Sequence, residues 1–271
     1  MARIAAFGVG KRFGATVALE GVDFDVAAGE VHALVGENGA GKSTLMRILA
    51  TLQEPDEGGV RLGDLDVLRD REAVRETLGY LPQEFGVYPK VSAQDLLDHF
   101  AVLKGITRRS ERKETVEALL RQTNLWDARK KYLGGFSGGM RQRFGIAVAL
   151  LADPRLIIVD EPTAGLDPAE RVRFLNLLSE LGEKAIVILS THIVEDVSEL
   201  CSRMAIINQG EILLEAEPLH AMESLRGRIW RTIIDRDELP DVQREHRVIS
   251  TRLLAGRTGV HAYAESAPQD L

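Results

Sequence analysis

At 271 residues the chain is long enough to bury a full core, as one large domain or as a domain with an appendage. Its composition, 45% hydrophobic and 28% charged, is that of an ordinary soluble globular protein, and a formal net charge of -7 gives no support to nucleic acid or an anionic membrane surface as a partner. The single cysteine, Cys201, excludes an intrachain disulfide and a cysteine-based metal site, and it suits a reducing cytoplasm. The opening MARIAAFGVGKRFGATVALEG is broken by glycines and basic residues and does not read as a signal peptide. The most apolar region, FGIAVALLADPRLIIVD, is interrupted by Asp153, Pro154 and Arg155, short of the ~20 uninterrupted apolar residues that a membrane span needs. The expectation is a soluble protein whose membrane role, if it has one, comes through a partner.

In chain order, strands with turn signals dominate residues 1–35, and apolar strands then alternate with helical patterns to about residue 222. That alternation predicts an α/β fold with a largely parallel sheet and an antiparallel N-terminal part. The strand EVHALVG runs into GENGAGKST, residues 36–44, and then into the helix LMRILATL. This is the phosphate-loop pattern in the context it requires. Gly36, Asn38, Gly39, Ala40 and Gly41 would curl backbone amides around phosphate. Lys42 would place a cation on the β/γ oxygens, and Ser43, beside Thr44, would present a hydroxyl to Mg²⁺. Further on, GYLPQEFG places the amide of Gln83 after a short strand, within reach of a metal or a water.

Residues 84–152 read as a mostly helical insertion, with the charged stretch TRRSERKETVEALLRQ starting at Thr107. Within it, FSGGMRQRFGIAVAL sets Ser137, Gly138 and Gly139 at the start of a helix whose Met140, Phe144, Ala147, Val148 and Leu151 share one face. Such a helix start is a second grip for an anion, and spacing alone leaves open whether it serves the same chain or another. Arg141 and Arg143 near its positive end are unfavourable for an isolated helix and favourable beside a polyanion; two solvated arginines are the alternative.

In LIIVDEPTAGLD, an apolar strand ends in the adjacent carboxylates Asp160 and Glu161. At the carboxyl end of a central parallel strand they stand where such sheets bind ligands. Asp160 is read as a Mg²⁺ holder and Glu161 as the group that polarises an attacking water; the alternative is a solvated acidic turn. Asp167 and Pro168 read as a helix cap. His192 ends the strand AIVILST, either as a donor to a γ-phosphate or as a structural histidine. After Gly227 the texture changes: RIWRTIID and HRVISTRLL look like strands separated by RDELPDVQRE, giving a small β-rich appendage with SAPQDL as a loose tail. The expected division is 1–222 and 223–271.

GENGAGKST, Gln83, FSGGM, LIIVDE, GLD and His192 occur in the order and approximate spacing of the ATP-binding cassette (ABC) family, and the resemblance covers about residues 3–220. FSGGM departs from the commoner LSGGQ at Phe136 and Met140. The resemblance implies an ATPase using ATP and Mg²⁺, with Glu161, His192, Gln83 and Lys42 catalytic and Phe13 stacked on adenine; burial of Phe13 in a strand pair is the rival reading. It also implies head-to-tail pairing of two subunits, Ser137 and its neighbouring amides closing on the partner's ATP. LPQEFGVYPKVSAQDLLDHFAVLKGI resembles ATP-binding subunits of exporters of drugs, lipids or polysaccharides, peripheral on the inner face of the membrane. That likeness makes Glu84 to Asp95 the expected contact with a multi-span permease. Rival classes are a soluble non-transport ABC ATPase, as in iron–sulfur cluster assembly, and a P-loop kinase, which would leave FSGGM without purpose.

Overall fold

The computed structural model describes residues 3–83, 85–86, 88–266 and 268. Chain contacts divide the protein into two compact units, Met1–Pro218 and Leu219–Leu271. The first begins with β1 (Arg3–Phe13), β2 (Thr16–Ala27) and β3 (Val31–Val35), followed by α1 (Lys42–Leu49). Then come β4 (Glu57–Leu62), β5 (Leu65–Asp66), α2 (Arg71–Glu76) and β6 (Leu78–Leu81). Three helices follow: α3 (Ala93–Leu103), α4 (Arg109–Gln122) and α5 (Gly138–Ala149). The chain then alternates through β7 (Leu156–Asp160), α6 (Pro168–Gly182), β8 (Ile186–Thr191), α7 (Val194–Leu200), β9 (Arg203–Asn208) and β10 (Glu211–Ala216).

Two sheets result. One is antiparallel, in the order β2-β1-β4-β5. The other runs β10-β9-β3-β8-β7-β6, parallel except for its edge strand β10. Every residue of β7 and of β8 is buried, as expected of central parallel strands covered on both faces. Their two-residue alternation divides them between two cores. Ile157, Val159, Val187 and Leu189 join Leu97, Phe144, Leu151 and Phe174 under the helices. Leu156, Ile158, Ile186 and Ile188 join Leu45, Ile48 and the inner face of the antiparallel sheet. The carboxyl ends of β3, β7 and β8 are thereby held in one fixed row between two apolar layers, and this row carries the site.

Cys201 closes α7 in the helical core. Burial, and then the charge of Asp196, push its thiol up to about 12. The thiolate needed for reaction is therefore scarce at neutral pH. The native protein at pH 8 is expected to leave Cys201 unmodified by a disulfide-exchange reagent, with full labelling only in denaturant. Prompt labelling of the folded chain would contradict this burial.

The second unit contains β11 (Ile229–Ile234), α9 (Leu239–Glu245), β12 (Arg247–Leu254) and β13 (Arg257–Tyr263); α8 (Pro218–Ser224) spans the division. Its sheet is antiparallel, in the order β11-β13-β12. The sequence reading missed β13. The strand is announced only by Ala255 and Gly256, whose φ values of 49° and 89° make the tight hairpin turn. The tail expected at SAPQDL lies largely outside the described residues.

Candidate active site

The loop between β3 and α1 is shaped by close approaches that only glycine allows. A Cβ on Gly36 would stand 2.3 Å from the Ile207 carbonyl oxygen, and one on Gly41, at φ 109°, 2.6 Å from that of Ala18. Lys42 is 4% exposed, and its ammonium donates to the carbonyl oxygens of Gly36 at 2.6 Å and Glu37 at 2.9 Å. Among the described residues no side chain caps α1, and the first turn of this helix borders the adjoining cleft. That cleft, about 180 Å³, is lined by Asn38, Gly39, Gly41, Lys42, Ser43 and Thr44 on one side and by Gln83 and Glu161 on the other. Ala40 turns the other way and packs in the core.

The acidic side of the cleft is built at the ends of β7 and β8. Asp160 is 4% exposed and accepts a hydrogen bond from the Ser190 hydroxyl, its register partner across the two strands. The Glu161 amide donates to the same hydroxyl at 3.0 Å, which holds Glu161 at φ 46°. A non-glycine residue in that region stores roughly 1–3 kcal/mol of strain, sustained here by the buried strands around it. The Gln83 amide donates to Glu161 Oε2 at 3.3 Å, and His192 Nδ1 lies 3.4 Å from Glu161 Oε1. Two side chains from separate stretches of sequence thus meet on the Glu161 carboxylate. Tyr80, on β6, has its phenol raised by burial and by the Asp160 charge, so it stays neutral beside that carboxylate. Ser190 was not singled out from the sequence; only the β7–β8 register identifies it.

Ser137 caps α5, its hydroxyl accepting from the Met140 amide at 3.2 Å, and it is exposed together with Gly138, while Gly139 is buried. None of the three lines the cleft formed by this chain's own loop. Arg143 departs from the expectation of a cation free to meet a polyanion. It is buried, and its guanidinium pairs with Glu170 at 3.2 Å. Arg141 remains exposed. Phe13 is 52% exposed with the Lys11 ammonium 5.7 Å from its ring centroid, so burial in a strand pair does not describe it. Asp167 caps α6, accepting from the Glu170 amide at 2.9 Å ahead of Pro168. Of the stretch Glu84 to Asp95, Glu84 and Val87 lie outside the described residues; Tyr88, Pro89 and Lys90 are exposed.

The GENGAGKST loop facing the strand-end carboxylate of Glu161, on a parallel sheet accompanied by an antiparallel one and by helices, has the architecture of an ATP-binding cassette. The chain belongs to the ABC transporter family, whose profile matches residues 19–164. It is 36% identical over 207 residues to the "Probable multidrug ABC transporter ATP-binding protein YbhF" of Escherichia coli, covering 76% of this chain and 36% of that one. It therefore spans about a third of the length of that relative. It is 33% identical over 269 residues to the "Daunorubicin/doxorubicin resistance ATP-binding protein DrrA" of Streptomyces peucetius, covering 99% of this chain and 79% of that one. Among solved structures it resembles the dimeric post-hydrolysis state of the cassette MJ0796 bound to ADP and Pi, with a TM-score of 0.72 and 27% identity over 79% of this chain and 98% of that one. The sequence expectation of the ABC fold is met.

Proposed function

We propose that the chain is the ATP-hydrolysing subunit of an exporter, pairing with a second subunit around two ATP molecules and driving a separate membrane permease. The observation that carries the reading is that Glu161, which lines the phosphate-loop cleft together with Gln83, is met on its carboxylate by both Gln83 and His192. Lys42 and the α1 amides bind and orient the β and γ phosphates. Glu161 takes the proton of the attacking water, Gln83 holds that carboxylate in place, and His192 donates toward the γ-phosphate. Residues 1–222 form the cassette and 223–271 an appendage.

The donor set suits Mg²⁺: the Ser43 hydroxyl, the Asp160 carboxylate and the Gln83 amide supply the few oxygen ligands this ion takes alongside phosphates and water. Bound there, Mg²⁺ supplies charge neutralisation of the phosphate oxygens. Phe13, exposed at the end of β1, is available to stack on adenine. Ser137, Gly138 and Gly139, absent from the lining of their own chain's cleft, serve the partner's nucleotide in a head-to-tail dimer.

Among the described residues no helix is long and apolar enough to cross a membrane. In this reading the permease is a separate chain, and Glu84 to Asp95 is the surface that meets it. The relatives named for drug resistance favour transport over the soluble non-transport alternative. The test is copurification of tagged Glu161→Gln from gently solubilised cells with Mg-ATP, with partners identified by mass spectrometry. Recovery of a multi-span membrane protein in equal amount supports the exporter reading. Recovery of only itself or soluble partners overturns it.

A further inference from the structure

Neighbouring residues on the first turn of α6 reach in opposite directions. Glu170 faces α5: its carboxylate is 3.2 Å from Arg143 Nε and accepts from Arg143 Nη2 at 3.4 Å, with the two side chains 18% and 10% exposed. Arg143 also donates to the carbonyl oxygens of Asn124 at 3.0 Å, Thr123 at 3.4 Å and Gly139 at 3.4 Å. It thus ties the end of α4 and the first turn of α5 to α6. Gly139 lies against the same carboxylate, where a Cβ would stand 3.0 Å from Glu170 Oε2. Arg171 faces the other way and pairs with Asp196, which is 1% exposed and also accepts from the Thr163 hydroxyl. Thr163 is two residues after Glu161, and Asp196 four after His192.

We propose that Glu170 and Arg171 form a two-sided bracket of positioning residues: Arg171 follows the Glu161–His192 side of the chain's own hydrolytic site, and Glu170, through Arg143, sets the Ser137–Gly139 helix start. This rests on the ATPase reading above, in which that helix start closes on the partner's ATP. The bracket links the two nucleotide sites of a dimer through one helical turn. On each side a partly buried ion pair joins the turn to its neighbour, with side-chain exposures of 10% and 18% for Arg143–Glu170 and 27% and 1% for Arg171–Asp196, so the turn is tied to both sides by charged groups that an apolar contact of equal volume would not orient. Stability alone does not account for the Arg143–Glu170 pair, because a buried ion pair and a well-packed apolar pair are often equivalent in that respect. Arg173, which also contacts Glu170, is 60% exposed in its side chain and adds no such constraint.

The test is the ATP dependence of turnover by the full chain, with Glu170→Gln as a near-isosteric loss of charge and Arg171→Lys as a second variant on the other arm. Coupled sites give the parent protein a Hill coefficient above 1, bounded by its two sites. Both variants are expected to fall to about 1 with reduced maximal turnover. Binding of a fluorescent ATP analogue to the dilute monomer should change by less than about twofold, since neither residue lines the cleft. Glu170→Asp, which keeps the charge, should recover part of the cooperativity. Unchanged cooperativity in both variants overturns the bracket, as does an active but non-cooperative parent. A fall in turnover that only mirrors lost thermal stability, with the Hill coefficient kept, overturns it too. A parent that releases no phosphate from ATP contradicts the ATPase reading itself, so the two failures are distinct.

Discussion

Glu161→Gln is expected to keep binding Mg-ATP while turning it over roughly 10²-fold or more slowly, the share a positioned general base contributes. The carboxylate is almost wholly buried, held by Gln83 on one oxygen and His192 on the other. Its backbone is held at φ 46° by the Ser190 hydroxyl. Glutamine has the same shape and preserves that backbone, so the nucleotide-binding side of the cleft is undisturbed. What is lost is the capacity to accept a proton. Steady-state phosphate release beside equilibrium nucleotide binding checks the split, and near-normal turnover would falsify the assignment of Glu161 as the base.

Lys42→Ala is expected to weaken ATP binding by about 10²-fold. The ammonium is placed by two loop carbonyls, so it is already oriented when polyphosphate arrives, and little side-chain freedom is spent in binding. A charge-assisted hydrogen bond is worth about 1.5–3 kcal/mol, and 1.4 kcal/mol is tenfold in affinity, so two phosphate contacts at the lower end of that range amount to roughly this loss. The truncation frees the Gly36 and Glu37 carbonyls at the cleft, where water replaces the ammonium, so the fold is expected to survive. Titration with a fluorescent ATP analogue measures the change, and an affinity within twofold of the parent would contradict the role given to Lys42.

The elements legible in the sequence were those whose meaning lies in consecutive residues. GENGAGKST needs a strand before and a helix after, both visible in the hydrophobic pattern, and the apolar run ending at Asp160 and Glu161 announces a buried parallel strand with its chemistry at the carboxyl end. The elements that escaped depend on distant partners. Ser190 matters because strand register sets it opposite Asp160, thirty residues away, and nothing in ILST marks it. Arg143 looked like a solvated or nucleotide-facing cation because it stands near the positive end of its helix. Only the packing of α6 against α5 brings Glu170 to it. Phe13 could not be placed on composition, since an aromatic at the end of a β-strand serves burial and exposure equally; the fold leaves its ring in the open.

The central claim is that this chain's exposed Ser137 belongs to another subunit's nucleotide. Light scattering of the Glu161→Gln protein, with and without saturating Mg-ATP, tests it most directly, because unhydrolysed nucleotide should hold the two faces together. A monomer near 29.8 kDa without nucleotide, doubling in mass with Mg-ATP, is the predicted result. A monomer in both conditions, in protein that demonstrably binds ATP, would contradict it.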